Sequence, residues 1–190
     1  MPVSALTVAN SGPTHSRDLI MAGLTPAPGK ACGDCSLCCK TLVIPELNKP
    51  KDSWCPHYAR GLGCDIYNDR PPSCRDFSCH WLIDPTLGPE WKPNKCKMVL
   101  HAREDALAVH VDPGARQPWR REPFYSQLLE KSARNIDRGA MVLVIEHGRT
   151  TIILPDRGVD LGVIGPGDRI ALAKTMTPTG PAWQARLVRA

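Results

Sequence analysis

Apolar and polar residues alternate along the second half of the chain in a way that predicts paired β-strands. Three pairs of β-prone runs are each separated by a few polar, glycine or proline residues, which is the pattern of a hairpin. The pairs are 95–102 with 106–112, 140–147 with 150–155, and 168–176 with 182–189. Because the connections are short, we expect antiparallel pairing.

A single helix is predicted between the first and second hairpins. Residues 124–139 carry apolar side chains at helical spacing and end at a glycine, which is typical of an amphipathic helix with a glycine C-cap. The apolar positions are Phe124, Leu128, Leu129, Ala133 and Ile136. The helix and the hairpins together predict an antiparallel α+β unit over residues 96–190.

The first half of the chain lacks this periodicity. Residues 1–29 are rich in Ser, Thr, Asn, Pro and Gly and are predicted to be weakly ordered, although 15–24 suit one short helical turn. Residues 30–95 are interrupted by prolines and predict a loop-rich module. Since this module has few aliphatic residues for a core, bound metal is the simplest candidate for what holds it together. We therefore expect an α+β protein in which a cysteine-rich metal module packs on the antiparallel unit.

Composition narrows the class of partner. The chain has 190 residues, 42% of them hydrophobic, and a formal charge of +5, which is ordinary for a globular protein. No apolar run approaches the ~20 residues of a membrane span. The N-terminus lacks the cationic start and apolar core of a secretory signal, so we expect a cytoplasmic location and no membrane partner. The positive residues are dispersed, which weighs against a nucleic-acid partner without excluding one.

Cysteine sets this chain apart. Nine cysteines are present, and eight of them fall between residues 32 and 79. A reducing cytoplasm disfavours disulfides and favours metal binding or redox chemistry, and an odd count would leave one thiol unpaired. The predicted metal ligands are Cys32, Cys35, Cys38, Cys39, Cys55, Cys64, Cys74 and Cys79.

The spacing of the first cluster, ACGDCSLCCK at 31–40, suggests the kind of centre. CxxCxxC lets one turn direct several sulfurs at one centre and favours a [4Fe–4S] cluster, whereas small loop-rich modules in general favour zinc. The metal is therefore open between zinc and iron. Cys38 and Cys39 are adjacent, and adjacent side chains diverge by about 100° in a helix. The eight thiols either divide into two sets of four or serve one centre with spare thiols.

The ordered cysteines, together with the segment CDIYNDRPPSCRDFSC at 64–79, resemble the YkgJ-like cysteine-cluster family, which is described as zinc- or iron-chelating. The resemblance covers roughly residues 31–82. Its matching positions beyond the cysteines are Ile66, Tyr67, Arg70, Pro71, Arg75 and Phe77. It implies chelation of zinc or iron by the eight cysteines and no particular reaction. A similar cluster occurs in flagellin lysine methylases, but this chain shows no methyltransferase cofactor motif, so we do not expect that activity.

Other side chains near the cysteines have more than one interpretation. His57 and His80 are the histidines best placed to replace a cysteine ligand, but eight cysteines make neither necessary. Cys96 stands apart and is better explained as a small buried residue. Arg70 and Arg75 either offset thiolate charge or pair with nearby aspartates.

The aromatic residues are interpreted as packing groups. Tyr67 and Phe77 predict a small core for the module. The tryptophans are expected to cover the module rather than to stack on nucleic-acid bases. Those near the module are Trp54, Trp81, Trp91 and Trp119.

These observations predict a metal-binding protein whose biological role and reaction class stay open. One alternative is a redox or accessory enzyme built around an iron–sulfur centre. Another is a module stabilised by zinc that binds nucleic acid or protein, because a closed four-thiolate zinc site is structural.

Overall fold

The computed structural model describes residues 5–9, 25–103, 105–178 and 180–190. Helices and strands both occur in these ranges, and the sheets are mainly antiparallel, so the predicted α+β class is confirmed. Most of the predicted weakly ordered segment 1–29, including the helical turn suggested at 15–24, lies outside the described residues.

The strands and helices are short in the first half of the chain and longer in the second. The strands are β1 (Ala5–Ala9), β2 (Tyr58–Ala59), β3 (Gly63–Cys64), β4 (Met98–Ala102), β5 (Ala106–Val111), β6 (Met141–Glu146), β7 (Arg149–Ile153), β8 (Gly158–Gly162), β9 (Arg169–Thr177) and β10 (Gly180–Val188). The helices are α1 (Cys38–Thr41), α2 (Pro72–Asp76), α3 (His80–Ile83), α4 (Pro93–Cys96) and α5 (Phe124–Asn135). In the described ranges, no helix is both long enough and apolar enough to cross a membrane.

The strands form three sheets. Their orders are β4-β5-β6-β7-β8, β1-β9-β10 and β2-β3. The second and third predicted hairpins are confirmed, since β6 pairs with β7 and β9 pairs with β10, both antiparallel. The first is confirmed as a neighbouring pair, β4 beside β5. The strand β8, which pairs antiparallel with β7, was not predicted.

The predicted amphipathic helix is also present. Helix α5 continues into a 3₁₀ turn at Ile136–Arg138 and ends at Gly139, whose φ of 82° is the left-handed conformation that a glycine C-cap adopts. Leu128 and Ser132 are its buried positions. Of the predicted apolar positions, Leu128 and Ile136 are buried, whereas Ala133 is exposed and the polar Ser132 beside it is buried.

Two compact units make up the described chain. One comprises Arg103–Ala108, apart from residue 104, and Glu122–Ala190, apart from residue 179, together with β1. Its core cluster contains Ala106, Ile136, Met141, Ile152, Leu154, Ile170, Leu172 and Trp183. The other, the cysteine unit, comprises residues 25–102 and Val109–Arg121.

The cysteine unit buries a core of its own. Trp81, Trp91 and Trp119 are buried in it, together with the aliphatic residues Leu100 and Val109. Burial of aromatic side chains on this scale supplies a large hydrophobic contribution without any metal. The contacts divide the chain into compact units and do not test independent folding. The predicted division into domains at 1–29, 30–95 and 96–190 therefore stays a prediction.

Candidate metal centre

The first two predicted ligands are joined by a tight turn. The backbone N–H of Cys35 donates to the carbonyl oxygen of Cys32 at 2.9 Å, and Gly33 between them has a φ of 51°. A left-handed residue is needed for this turn, which explains the glycine. Asp34, also in the turn, accepts a hydrogen bond from Lys92 Nζ at 2.8 Å.

The adjacent pair Cys38–Cys39 begins helix α1. The Cys38 thiol donates a hydrogen bond to Cys39, which, with burial, raises the pKa of Cys38 well above its usual value. The same bond, helped by the nearby cations Lys49 and Arg70, lowers the pKa of Cys39 to about 7. The pKa values of the two thiols therefore move in opposite directions, and Cys39 is the one poised to be the thiolate of the pair.

Cys55 and Cys64 are brought to Cys39 by the backbone. The N–H of Cys55 donates to the carbonyl of Cys39 at 3.0 Å, and the N–H of Tyr58 donates to the carbonyl of Cys55 at 3.0 Å. Tyr58 is paired with Cys64 across the β2–β3 ladder. A chain of main-chain contacts therefore fixes the neighbourhood of these three cysteines.

Cys74 lies in α2, within electrostatic range of Cys39 and Cys55. Burial raises its pKa. The neighbouring Ser73 is fixed to Glu46, with its N–H 3.0 Å and its hydroxyl 2.6 Å from the two carboxylate oxygens. This contact ties α2 to the 3₁₀ turn that follows α1, which contains Cys39.

Cys79 immediately precedes α3. Burial, with smaller contributions from the charges of Cys35 and Cys32, raises its pKa to about 11, although hydrogen bonds from the main chain at Trp81 and Leu82 oppose the shift. The pKa of Cys32 is also raised, mainly by burial and then by the charge of Cys35, whereas the cations Arg70 and Lys92 lower it. Thiols that raise one another's pKa in this way bind protons tightly until a cation replaces them.

The eight thiols are neighbours but do not converge on a point. Across the described ranges, no group of three or more His, Cys, Asp and Glu side chains is arranged so that it could hold a metal ion. All nine cysteines are free thiols. The donor set suits zinc or an iron–sulfur cluster in its chemistry, since thiolate is the ligand both prefer. Ligation would require the thiols to turn toward one another.

Cations are placed among the thiols. Lys49 lies within electrostatic range of Cys55, Cys39 and Cys38. The charge of Arg70 lowers the pKa of Cys32 and of Cys39, and the charge of Lys92 lowers that of Cys32. Because a four-thiolate site with a divalent ion carries a charge of 2−, such cations favour the loaded state.

The histidine candidates are held by aspartates. His57 Nδ1 lies 3.3 Å from Asp65 Oδ1, and His80 Nε2 lies 3.2 Å from Asp84 Oδ2. A carboxylate at one ring nitrogen fixes the orientation of the ring and leaves the other nitrogen for a different partner.

Cys96 behaves as a buried structural residue. It is 4% exposed, and its thiol donates to the carbonyl oxygens of Trp91 at 3.3 Å and Met98 at 3.4 Å. Burial raises its pKa to about 12. These contacts support the interpretation of Cys96 as packing rather than ligation.

The aromatic predictions had mixed outcomes. Trp81, Trp91 and Trp119 are buried, as expected of packing groups. Tyr67 is 52% exposed and lies beneath the Arg70 guanidinium at 3.8 Å, so its assignment to the core was wrong. Trp54 is 46% exposed and stacks on Tyr58 with ring centroids 4.0 Å apart.

Two lysines that the sequence did not single out position the site. Lys30 Nζ donates to the carbonyl oxygens of Trp81, Asp84 and Leu87 at 3.0, 2.5 and 2.6 Å. Lys49 Nζ donates to the carbonyls of Lys40, at 2.7 Å, and Leu42. Neither lysine lies in a motif, and their acceptors are main-chain atoms, which leave no trace in a sequence.

No protein-family model, curated protein or solved structure matches this chain.

Proposed function

We propose that this protein binds zinc or an iron–sulfur cluster through the clustered cysteines of the cysteine unit. The observation that carries the proposal is the crowding of eight free thiols in one compact unit, in electrostatic contact with one another and with cations. Thiols at this density repel one another once ionised, and a metal cation removes the repulsion by replacing their protons.

The ligands would be the eight cysteines from Cys32 to Cys79. Zinc would supply a closed four-thiolate site that stabilises the fold, and an iron–sulfur cluster would supply electron transfer. Two further features support binding rather than passive burial. Cys39 ionises near neutral pH, so one ligand is ready without extra base, and Lys49 and Arg70 offset the charge of the thiolates.

The metal content of anaerobically purified full-length protein tests the proposal. Elemental analysis is expected to find zinc, or iron with sulfide and broad absorbance near ~400 nm. Cys35→Ser and Cys74→Ser are expected to reduce the metal content, because each removes one thiolate. A Cys96→Ser variant is the matched control and should keep the wild-type metal content. Wild-type protein that binds neither zinc nor iron would show that the proposal is wrong.

A further inference from the structure

The eight predicted ligands are not evenly spread through the cysteine unit. Main-chain contacts gather them in two neighbourhoods, and the adjacent pair Cys38–Cys39 lies where the two meet. The partition can therefore be argued from the path of the backbone.

The first neighbourhood is formed by the segment before Cys32 and the segment after Cys79. The N–H of Ala27 donates to the carbonyl of Leu82 at 2.9 Å, and the N–H of Leu82 donates to that of Cys79 at 2.8 Å. Lys30, two residues before Cys32, is bonded to the carbonyl of Trp81, two residues after Cys79. These contacts bring the start and the end of the cysteine-rich segment together.

The other members of this neighbourhood follow from the path of the chain. Cys35 is joined to Cys32 by the tight turn at Gly33, in which its N–H donates to the Cys32 carbonyl at 2.9 Å. Cys38 and Cys39 begin α1, and adjacent side chains on a helix diverge by about 100°, so the Cys38 side chain is left to this neighbourhood when Cys39 serves the other.

The second neighbourhood is formed by Cys39 and the chain that follows it. The N–H of Cys55 donates a hydrogen bond to the carbonyl of Cys39, and the N–H of Tyr58 donates one to the carbonyl of Cys55. The β2–β3 ladder places Cys64 across from Tyr58. Helix α2, which carries Cys74, is tied to Glu46 by Ser73.

We propose that the cysteines form two separate four-thiol centres, one of Cys32, Cys35, Cys38 and Cys79 and the other of Cys39, Cys55, Cys64 and Cys74. This inference rests on the proposed function and adds the assignment of each thiol. Each centre takes one divalent cation, such as zinc, or one cluster, and a four-thiolate set leaves no open position for a substrate. The two centres meet at the peptide bond between Cys38 and Cys39, because one side chain serves each set.

Zinc titration of reduced full-length protein tests the partition. Wild-type protein should bind about two zinc ions per chain, four thiols to each. Cys79→Ser and Cys74→Ser should each bind one zinc ion with wild-type affinity and a second more weakly, because each leaves one set with three thiolates. The informative variants are doubles. Cys32→Ser/Cys79→Ser and Cys55→Ser/Cys74→Ser should each keep one zinc ion at wild-type affinity, whereas Cys74→Ser/Cys79→Ser should keep none at that affinity, because both of its sets have lost a thiolate. The Cys96→Ser variant should bind about two.

The outcomes separate the partition from the proposed function. Wild-type protein that takes up neither zinc nor iron overturns both. Three results overturn the partition and leave metal binding standing: wild-type protein with a single centre, a double variant of one set that keeps no zinc at wild-type affinity, or a cross-set double variant that keeps one zinc ion at wild-type affinity.

A measurement on wild-type protein covers the case in which the variants do not fold. At half-saturating zinc, the unprotected thiols are alkylated, and mass spectrometry of intact chains identifies which thiols of each molecule were protected. The four thiols of one set should be protected together in the same molecules. Protection that is shared between Cys79 and Cys74, but not between Cys79 and Cys32, would overturn the partition.

Discussion

Lys49 donates its ammonium group to the carbonyl oxygen of Lys40 at 2.7 Å, at the end of the helix that begins with Cys38. Lys49 is only 3% exposed, and burial lowers the pKa of its ammonium group, although Cys55 and Cys39 oppose that shift. A cation at the carbonyl end of a helix is favourable for that helix. Lys49 therefore stabilises the segment that presents two of the predicted ligands.

Replacing Lys49 tests this role. Lys49→Met removes the hydrogen bonds to the carbonyls of Lys40 and Leu42 and leaves those acceptors buried. We expect a loss of about 2 kcal/mol in the free energy of unfolding, the usual effect of removing a charged donor. Urea denaturation of reduced, metal-free protein measures it. Lys51→Met is the control, since Lys51 only approaches Asp52 at 3.9 Å on the surface, and an equal loss in both variants would contradict the prediction.

Cys39 is expected to be the most reactive of the shifted thiols when no metal is bound. Its pKa of about 7 lies below that of Cys79, at about 11, so at pH 7 a large fraction of Cys39 is thiolate and almost none of Cys79 is. Brief treatment with iodoacetamide, followed by mass spectrometry, should find Cys39 modified before Cys79.

The pH dependence of this labelling gives the control. The Cys39 rate should rise through pH 7 and level off above it, whereas the Cys79 rate should still be rising at pH 9. Cys38→Ala removes the thiol that donates to Cys39, so it should move the midpoint for Cys39 to higher pH. Labelling of Cys79 first, or an unchanged midpoint in Cys38→Ala, would show that the hydrogen bond does not set the reactivity.

Asp112 is expected to contribute to stability at neutral pH and to lose that contribution in acid. Burial raises its pKa, but Lys40 Nζ at 2.6 Å and the N–H of Gly114 at 2.9 Å outweigh burial and hold the pKa below its usual value. A carboxyl group with a lower pKa in the folded state stabilises the fold above its unfolded pKa, near ~4. The contribution disappears as pH falls through the folded value.

Asp112→Asn should therefore be less stable than wild type at pH 7 and should lose less stability between pH 5 and pH 2. Urea denaturation across that range measures both effects. Lys40→Met removes the ammonium partner and should give a similar flattening. The double variant should add little to either single change, because both remove the same interaction. Full additivity of the two single effects would contradict this coupling.

Ser132 is expected to matter in the other compact unit. Its hydroxyl, in α5, donates to the carbonyl of Ile153 at 2.7 Å, and the residue is almost fully buried. Ser132→Ala removes this buried hydrogen bond and should cost about 1–2 kcal/mol in unfolding free energy. Ser126→Ala is the matched control, since Ser126 lies on the exposed side of the same helix and its loss should change stability by less than about 0.5 kcal/mol.

Local sequence was sufficient for most of the regular elements of the second half. The β-prone residues 140–155 contain β6 and β7, and the helical spacing of 124–139 contains α5. The strand β8 was missed because its sequence, GVDLG, is short and bounded by glycines, and it pairs with β7 alone, at the end of the sheet order. Such a strand is formed by its neighbour rather than by its own pattern.

The sequence singled out the members of the candidate site but not their arrangement. The density of cysteines singles them out, because packing does not require four thiols within eight residues. The grouping of Cys79 with Cys32 depends on contacts between segments about fifty residues apart, such as that of Lys30 with the carbonyl of Trp81. These contacts use main-chain acceptors, which every residue possesses, so no residue type marks them.

The three carbonyl contacts of Lys30 have a consequence for the energetics of metal uptake. They close a loop of about fifty residues, and closing a flexible loop of that length costs roughly 3–4 kcal/mol of chain entropy, from (3/2)RT ln n. Cys32 and Cys79 both lie just inside the closure. Protein contacts, those of Lys30 and of the buried tryptophans, hold this loop closed. If the proposed first set binds an ion, we therefore expect its binding to be coupled less strongly to folding than in small zinc modules that are unfolded without metal.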